Sequence, residues 1–379
     1  MSESVWGIWA DRGFLCKPDP LLSLVETMTD VTDQTMVRAL EESVARLPAL
    51  LLHPDELHWV IDSLALLTRT DFADLTPPQA ERLLQLYSFL ATAYIYADPE
   101  QPLKHLPVSI ARPFVELAAL VERPPMFSYT SLVLANWRRI DPLGEITVDN
   151  LETLSTFTGL PDERWFALIH VDIEARAAGA LRGALDAAQA VIDNDADRVT
   201  SGLRAIYDGL RAMMKTFRRM RSGCDPDVYY QQIRPYNFGF INVVYEGSRF
   251  GDTPQNFRGG SGAQSSVIPA LVAALGVQHE ATDLMVHLNA MHPYMPRPHR
   301  EFIHVIGASG IRAFVQRVHS PALTDAYNDC LRALTLFRQL HLSYAKLYIF
   351  ERGDPVGTGG TPFMDWLNKL IDETEKQYV

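Results

Sequence analysis

Cysteine is scarce in this chain of 379 residues: Cys16, Cys224 and Cys330 stand far apart and never in CxxC spacing. That excludes a disulfide framework and fits free thiols in a reducing cytosol. Basic charge is also in deficit. Against 46 acidic residues there are 34 lysines and arginines, a formal net charge of −12. No phosphate-neutralising excess exists, so nucleic acid is not expected as a partner, although a local basic pocket for a small carboxylate stays open. The opening Met1-Ser-Glu-Ser-Val-Trp6 has no basic region leading into an apolar one, so no secretory signal is expected. No apolar run reaches the ~18 residues of a spanning helix. These absences predict a soluble, cytoplasmic protein without a membrane partner. HExxH, a Walker lysine, internal repeats and low-complexity segments are missing as well.

What is present is helical periodicity. Thr76-Pro-Pro-Gln79 has the form of an N-cap with proline in the first turn. Leu83, Leu84, Tyr87, Leu90, Ala91 and Tyr94 follow at steps of three and four. Leu203, Ile206, Leu210, Met213, Phe217 and Met220 repeat the pattern, as do Cys330, Leu334, Phe337, His341, Tyr344 and Tyr348. Alternation of period two is scarce, so the chain is mainly α. Punctuation at Asp141-Pro-Leu-Gly144 and Thr158-Gly-Leu-Pro161 predicts a boundary within 141–160. It divides a smaller N-terminal domain, 1–150, from a large helical domain, 151–379. The glycine-rich stretch Glu351–Thr361 reads as a mobile loop able to close over a site.

Several side chains are candidates for chemistry. In Met295-Pro-Arg-Pro-His-Arg-Glu-Phe302, proline cannot continue a preceding helix but starts a new one well, which aims His299 from a helix opening. A lone imidazole held so suits one axial bond to a heme iron, with a surface or capping histidine as the bland alternative. The nearby prolines keep His292 off a shared helical face, and His304 lies about 140° around from His299 at ~3.6 residues per turn. The run Phe257-Arg-Gly-Gly-Ser-Gly-Ala-Gln-Ser-Ser266 opens a helix. Its glycines let backbone pass close to a flat ligand or form an ordinary capped turn. Arg234 stands among Tyr229, Tyr230, Tyr236 and Phe238, an aromatic setting that favours a carboxylate clamp over a solvated arginine. Phe166 and His170, four apart, can wall a pocket from one helical face, or pack as core. Tyr129 and Val133 form a similar pair. His341 sits on an apolar seam, and Arg218–Arg221 is a solvated helix end facing the helix dipole.

Taken together, the His299 and Gly259–Ser266 motifs make the chain resemble the indoleamine 2,3-dioxygenase family of heme proteins. Pro125–Trp137, Val244-Tyr-Glu-Gly247 and Gly357-Thr-Gly-Gly-Thr361 match in the right order, from roughly Leu106 to Phe363. The resemblance implies a small, mixed but mostly helical N-terminal domain on a large helical one, with heme b between them. It implies His299 as proximal iron ligand and Ser261 and Gly262 as a backbone roof near the heme. It implies Arg234 on the substrate carboxylate, and Tyr129, Val133, Phe166, His170 and Tyr229 around the indole. Thr358 lies in the loop that closes on the substrate's ammonium and carboxylate groups. Departures bear on substrate choice: His170 stands where the animal enzymes have serine, Leu132 replaces a cysteine, Tyr229 a phenylalanine and Asn237 a leucine. The related tryptophan 2,3-dioxygenases place a histidine in the distal pocket to meet the indole N–H, which makes His170 a candidate catalytic residue.

The implied activity is O2-dependent cleavage of the pyrrole ring of L-tryptophan, or a close indole derivative, to N-formylkynurenine on ferrous heme. Another oxidative rearrangement of a tryptophan on the same scaffold, as in the pyrrolnitrin pathway, is an alternative. A heme-binding sensor without turnover is a third, against which Arg234 and Thr358 weigh, since a gas sensor needs no carboxylate clamp.

Overall fold

A computed structural model describes residues 3–28, 31–72, 74–353 and 362–379. In its first third, α1 (Val31–Ala45), α2 (Leu47–Leu50) and α3 (Pro54–Asp62) lead to α4 (Pro77–Ile95), and α5 (Val108–Leu120) follows. The cap expected at Thr76 forms: Gln79 Oε1 accepts from both the Thr76 backbone N–H and its hydroxyl, each at 2.8 Å. Pro77 and Pro78 occupy the first turn, where a missing N–H costs nothing. Every residue from Arg82 to Ile95 is buried. A helix buried all round is a core element, and α1, α3 and α5 pack about it.

The larger helical part begins with α6 (Pro161–Arg176), α7 (Ala178–Ile192) and α8 (Ala196–Phe217). Asp195 caps α8 by accepting the Arg198 N–H at 3.0 Å. Helices α7 and α8 lie nearly backbone to backbone along a small-residue seam. A Cβ on Gly183 would come within 2.6 Å of the Gly202 carbonyl oxygen. After α9 (Pro226–Val228) come α10 (Val267–Ala274), α11 (Asp283–Asn289), α12 (Arg297–Gly307) and α13 (Ile311–Val318). The long α14 (Pro321–Tyr348) packs on α8, and α15 (Phe363–Glu375) packs on α14.

Strands are few and short, as the lack of alternation implies. β1 (His105–Leu106) runs parallel to β4 (Phe240–Tyr245), and β5 (Gln255–Phe257) returns antiparallel to β4. Leu106 stands opposite Tyr245, and Phe240 opposite Phe257. This small sheet joins the first third to the rest and delivers the Gly259–Ser266 run into the interior. The crossing there requires glycine, because a Cβ on Gly259 would overlap the Asn237 carbonyl oxygen. A second pair, β2 (Arg138–Arg139) with β3 (Leu151–Glu152), occupies the segment where the boundary was expected. Buried apolar residues on both sides of it belong to one contiguous core. Among the described residues no helix is long and apolar enough to cross a membrane. Cys16, Cys224 and Cys330 are unpaired.

Candidate functional site

A cavity of about 660 Å3 opens between α6, α8, α14, α15, the turn before Trp137 and the Gly259–Ser266 run. That size suits a flat organic group. Of the residues singled out in the sequence, Tyr129, Val133, Phe166, His170, Tyr229, Ser261 and Gly262 all line it, with Leu132 and Asn237 beside them. Tyr129 and Val133 reach it from a widened turn, Thr130–Leu134, in which the Ala135 N–H donates five residues back to Thr130 at 2.9 Å. Such π-turns recur at functional sites because they re-aim side chains. His341, on the inner seam of α14, also faces the cavity.

Helix α6 presents the aromatic wall. The Phe166 ring lies 4.8 Å from His170 and 4.6 Å from Tyr229, centre to centre. His170 Nδ1 is 2.7 Å from the Phe166 carbonyl oxygen. A carbonyl oxygen only accepts, so Nδ1 carries the hydrogen and Nε2 keeps its lone pair. Burial lowers the His170 pKa, which keeps the ring neutral.

One more turn along α6 stands Glu174, which the sequence reading passed over. Its Oε1 accepts from the Tyr129 hydroxyl at 2.9 Å and the Ser265 hydroxyl at 2.6 Å, whereas Oε2 is buried without a partner. Burial raises this carboxyl to about 7, against the opposing pull of Ser265 and Tyr129. Its position eight residues after Phe166 and four after His170 is the signal that could have found it, since all three share one helical face. Gln264 fixes the same corner: its Oε1 accepts the Tyr129 backbone N–H at 2.9 Å, and its Nε2 donates to the Gly259 carbonyl at 2.9 Å.

The far wall comes from α15 through Phe363, Trp366 and Leu370. It is tied down by a buried cluster: His279 Nδ1 lies 2.5 Å from Glu373 Oε2, and Arg338 donates to the Leu370 carbonyl at 2.7 Å and to Thr374.

Two expected site residues lie behind the cavity surface. His299 is buried on α12 with its ring 4.2 Å from that of Phe14, centre to centre, and its Nε2 against Gly7. Met295 and Ile303, each four residues from it, do line the cavity, as does His292; His304 is exposed. Arg234 is buried, its guanidinium carbon 4.7 Å from the Phe238 ring centre and 5.2 Å from that of Tyr230, between the lining residues Tyr229 and Asn237. Thr358 lies outside the described residues.

The cavity itself offers an imidazole for a heme. His341 on α14 faces it, and burial, aided by His170, holds that ring neutral with a pKa of about 4. His299, although also buried and neutral, packs against Phe14 and Gly7 behind the wall and does not meet the expectation of an iron ligand here. A neutral imidazole kept from water is what an axial ligand needs. The Gly-rich run leaves room overhead: a Cβ on Gly262 would meet nothing within 4 Å. Among the described residues no group of three or more histidine, cysteine, aspartate and glutamate side chains could hold a bare metal ion.

The model of the family "Indoleamine 2,3-dioxygenase" matches residues 2–354. Indoleamine 2,3-dioxygenase 1 of Mus musculus is 33% identical, over 88% of this chain and 88% of its own. Indoleamine 2,3-dioxygenase of Saccharomyces cerevisiae is 32% identical, over 88% of this chain and 86% of its own. A further relative, from Aspergillus candidus and also described as an indoleamine 2,3-dioxygenase, is 32% identical over 78% of this chain and 80% of its own.

Proposed function

The chain belongs to the indoleamine 2,3-dioxygenase family, heme-dependent enzymes of tryptophan catabolism, and from that premise we propose that it cleaves the pyrrole ring of L-tryptophan, or of a close indole derivative, with O2 to give N-formylkynurenine. The observation that carries this reading is the His170–Phe166 contact at 2.7 Å, which leaves a hydrogen-bond acceptor in an aromatic cavity. An indole offers the matching parts: a flat apolar body and one N–H.

Heme b, which His341 would hold from the cavity side of α14, would supply when bound the redox chemistry that activates O2. The chain's own residues orient and enclose. Phe166, Tyr129, Val133 and Tyr229 grip the ring, and His170 Nε2 accepts the indole N–H. Ser261 and Gly262 form the backbone roof. Arg234 pairs with the substrate carboxylate, and the loop bearing Thr358 closes over the amino-acid end. Residues 1–150 form the smaller domain and 151–379 the heme-binding one. Three unpaired thiols support a cytoplasmic location.

The deciding experiment mixes the reduced, heme-loaded protein with L-tryptophan and O2 and follows formylkynurenine by absorbance. Bound heme without this product overturns the proposal and favours a different oxidative rearrangement or a sensor.

A further inference from the structure

Two imidazoles from different helices, His170 on α6 and His341 on α14, open onto the same cavity. The Phe217 ring of α8 lies 6.3 Å from each, centre to centre, so the two cannot stand more than two such spans apart. Both are neutral. Burial lowers the two pKa values, and His170 lowers that of His341 further, since neighbouring imidazoles repel when protonated.

His170 is already arranged as metal ligands are. A ligating histidine ordinarily donates its other ring N–H to a carbonyl or carboxylate, which fixes its tautomer and orientation. The 2.7 Å contact from Nδ1 to the Phe166 carbonyl is that arrangement, and Nε2 keeps a lone pair for the cavity. Two other lining histidines are spent elsewhere, His279 on Glu373 and Arg338, and His287 on Arg258. A heme iron has two axial positions, and His341 fills one. A lone pair tethered in the same cavity meets the other at high effective concentration, ahead of dissolved ligands.

We propose that His170 is a second axial ligand: without substrate its Nε2 bonds the heme iron opposite His341, and an indole entering between them takes the lone pair for its N–H. One lone pair cannot serve both. The position opposite His341 is therefore open to O2 only while the ring is bound. The inference rests on a heme held by His341 and on an indole N–H that meets His170.

The test is the visible spectrum of the heme-loaded protein, reduced with dithionite in the absence of O2. Two imidazoles on ferrous iron give sharp, paired, low-spin bands of the hemochrome type, whereas His341 alone gives one broad high-spin band. Ferrous iron does not hold hydroxide, so solvent does not imitate the first result. The native protein should show the sharp bands and lose them on saturation with L-tryptophan. His170→Ser should show the broad band at unchanged heme content. Carbon monoxide mixed rapidly with the native protein should bind at a rate that levels off with its concentration, as release of His170 becomes limiting. A broad band in the native protein, sharp bands that tryptophan leaves unchanged, or sharp bands that survive in His170→Ser each overturn the proposal. Formylkynurenine formed alongside any of these leaves the heme and indole assignments standing. A protein that takes up no heme, or keeps its spectrum in His341→Ala, removes the assignment to His341 and this inference with it. The native spectrum and the carbon monoxide kinetics decide the matter even where a variant does not fold.

Discussion

His170 Nδ1 stands 2.7 Å from the carbonyl oxygen of Phe166, one turn earlier on the same helix, and this contact decides the tautomer. The backbone consumes the one ring hydrogen, and the other nitrogen is left as an acceptor facing the cavity.

The first prediction follows from that tautomer. Binding of an indole N–H requires the neutral ring, and burial lowers the His170 pKa below its ordinary 6.5. Tryptophan affinity should therefore be flat through neutral pH and fall only on the acid side of the lowered value, as the imidazole gains its second proton. 1-Methyl-L-tryptophan, which has no N–H, should bind about 2- to 10-fold more weakly, the worth of a neutral hydrogen bond. His170→Ser should keep heme and flatten both dependences. Identical pH profiles and methyl discrimination in the two proteins would reduce His170 to a piece of wall.

The second concerns iron. His341→Ala, which removes the α14 imidazole facing the cavity, should lose heme, or its histidine-ligated Soret band, on reconstitution. His292→Ala, from the cavity lining, and His304→Ala, from the exposed side of α12, should retain both. Heme content measured by pyridine hemochrome checks the set, and a normal Soret band in His341→Ala sinks the assignment.

A third addresses substrate anchoring. Arg234 is 3% exposed among aromatic rings, where a bidentate, charge-assisted bond to a carboxylate is worth roughly 1.5–3 kcal/mol. Arg234→Ala should weaken tryptophan binding by about 10- to 150-fold with the heme spectrum unchanged. Arg234→Lys should recover only part, because the planar fork is gone. A dissociation constant unaltered in Arg234→Ala would leave this arginine a packing residue of the aromatic cluster.

The fourth tests the backbone crossing under the roof. Gly259 passes the Asn237 carbonyl too closely for any side chain. Gly259→Ala should cost about 1–3 kcal/mol of stability by overpacking, and should loosen the run that presents Ser261 and Gly262. Thermal unfolding and heme retention measured together check it; an unchanged melting temperature refutes the tight crossing.

Much of this was legible along the chain. Apolar steps of three and four foretold α4, α8 and α14, because a helix buries a stripe that recurs with its own turn. The pairs Tyr129/Val133 and Phe166/His170 were legible for the same reason, and all four residues meet in one cavity. Glu174 was on the same stripe yet looked like any helix carboxylate, since nothing local says that Tyr129 and Ser265, 45 and 91 residues away, will bond to it.

Local pattern carries the helices, their caps and the face each one turns inward, since these depend on neighbours within a turn or two. Which faces meet is a different matter. The setting of His299 against Phe14 and Gly7, the seclusion of Arg234 among aromatic rings, and the His279–Glu373 bond across 94 residues all depend on segments brought together by the packing of the whole chain. Burial and the pairing of buried polar atoms are long-range quantities. Periodicity can say that a side chain points inward; only its neighbours in space set its charge state, its free lone pair and hence its chemistry.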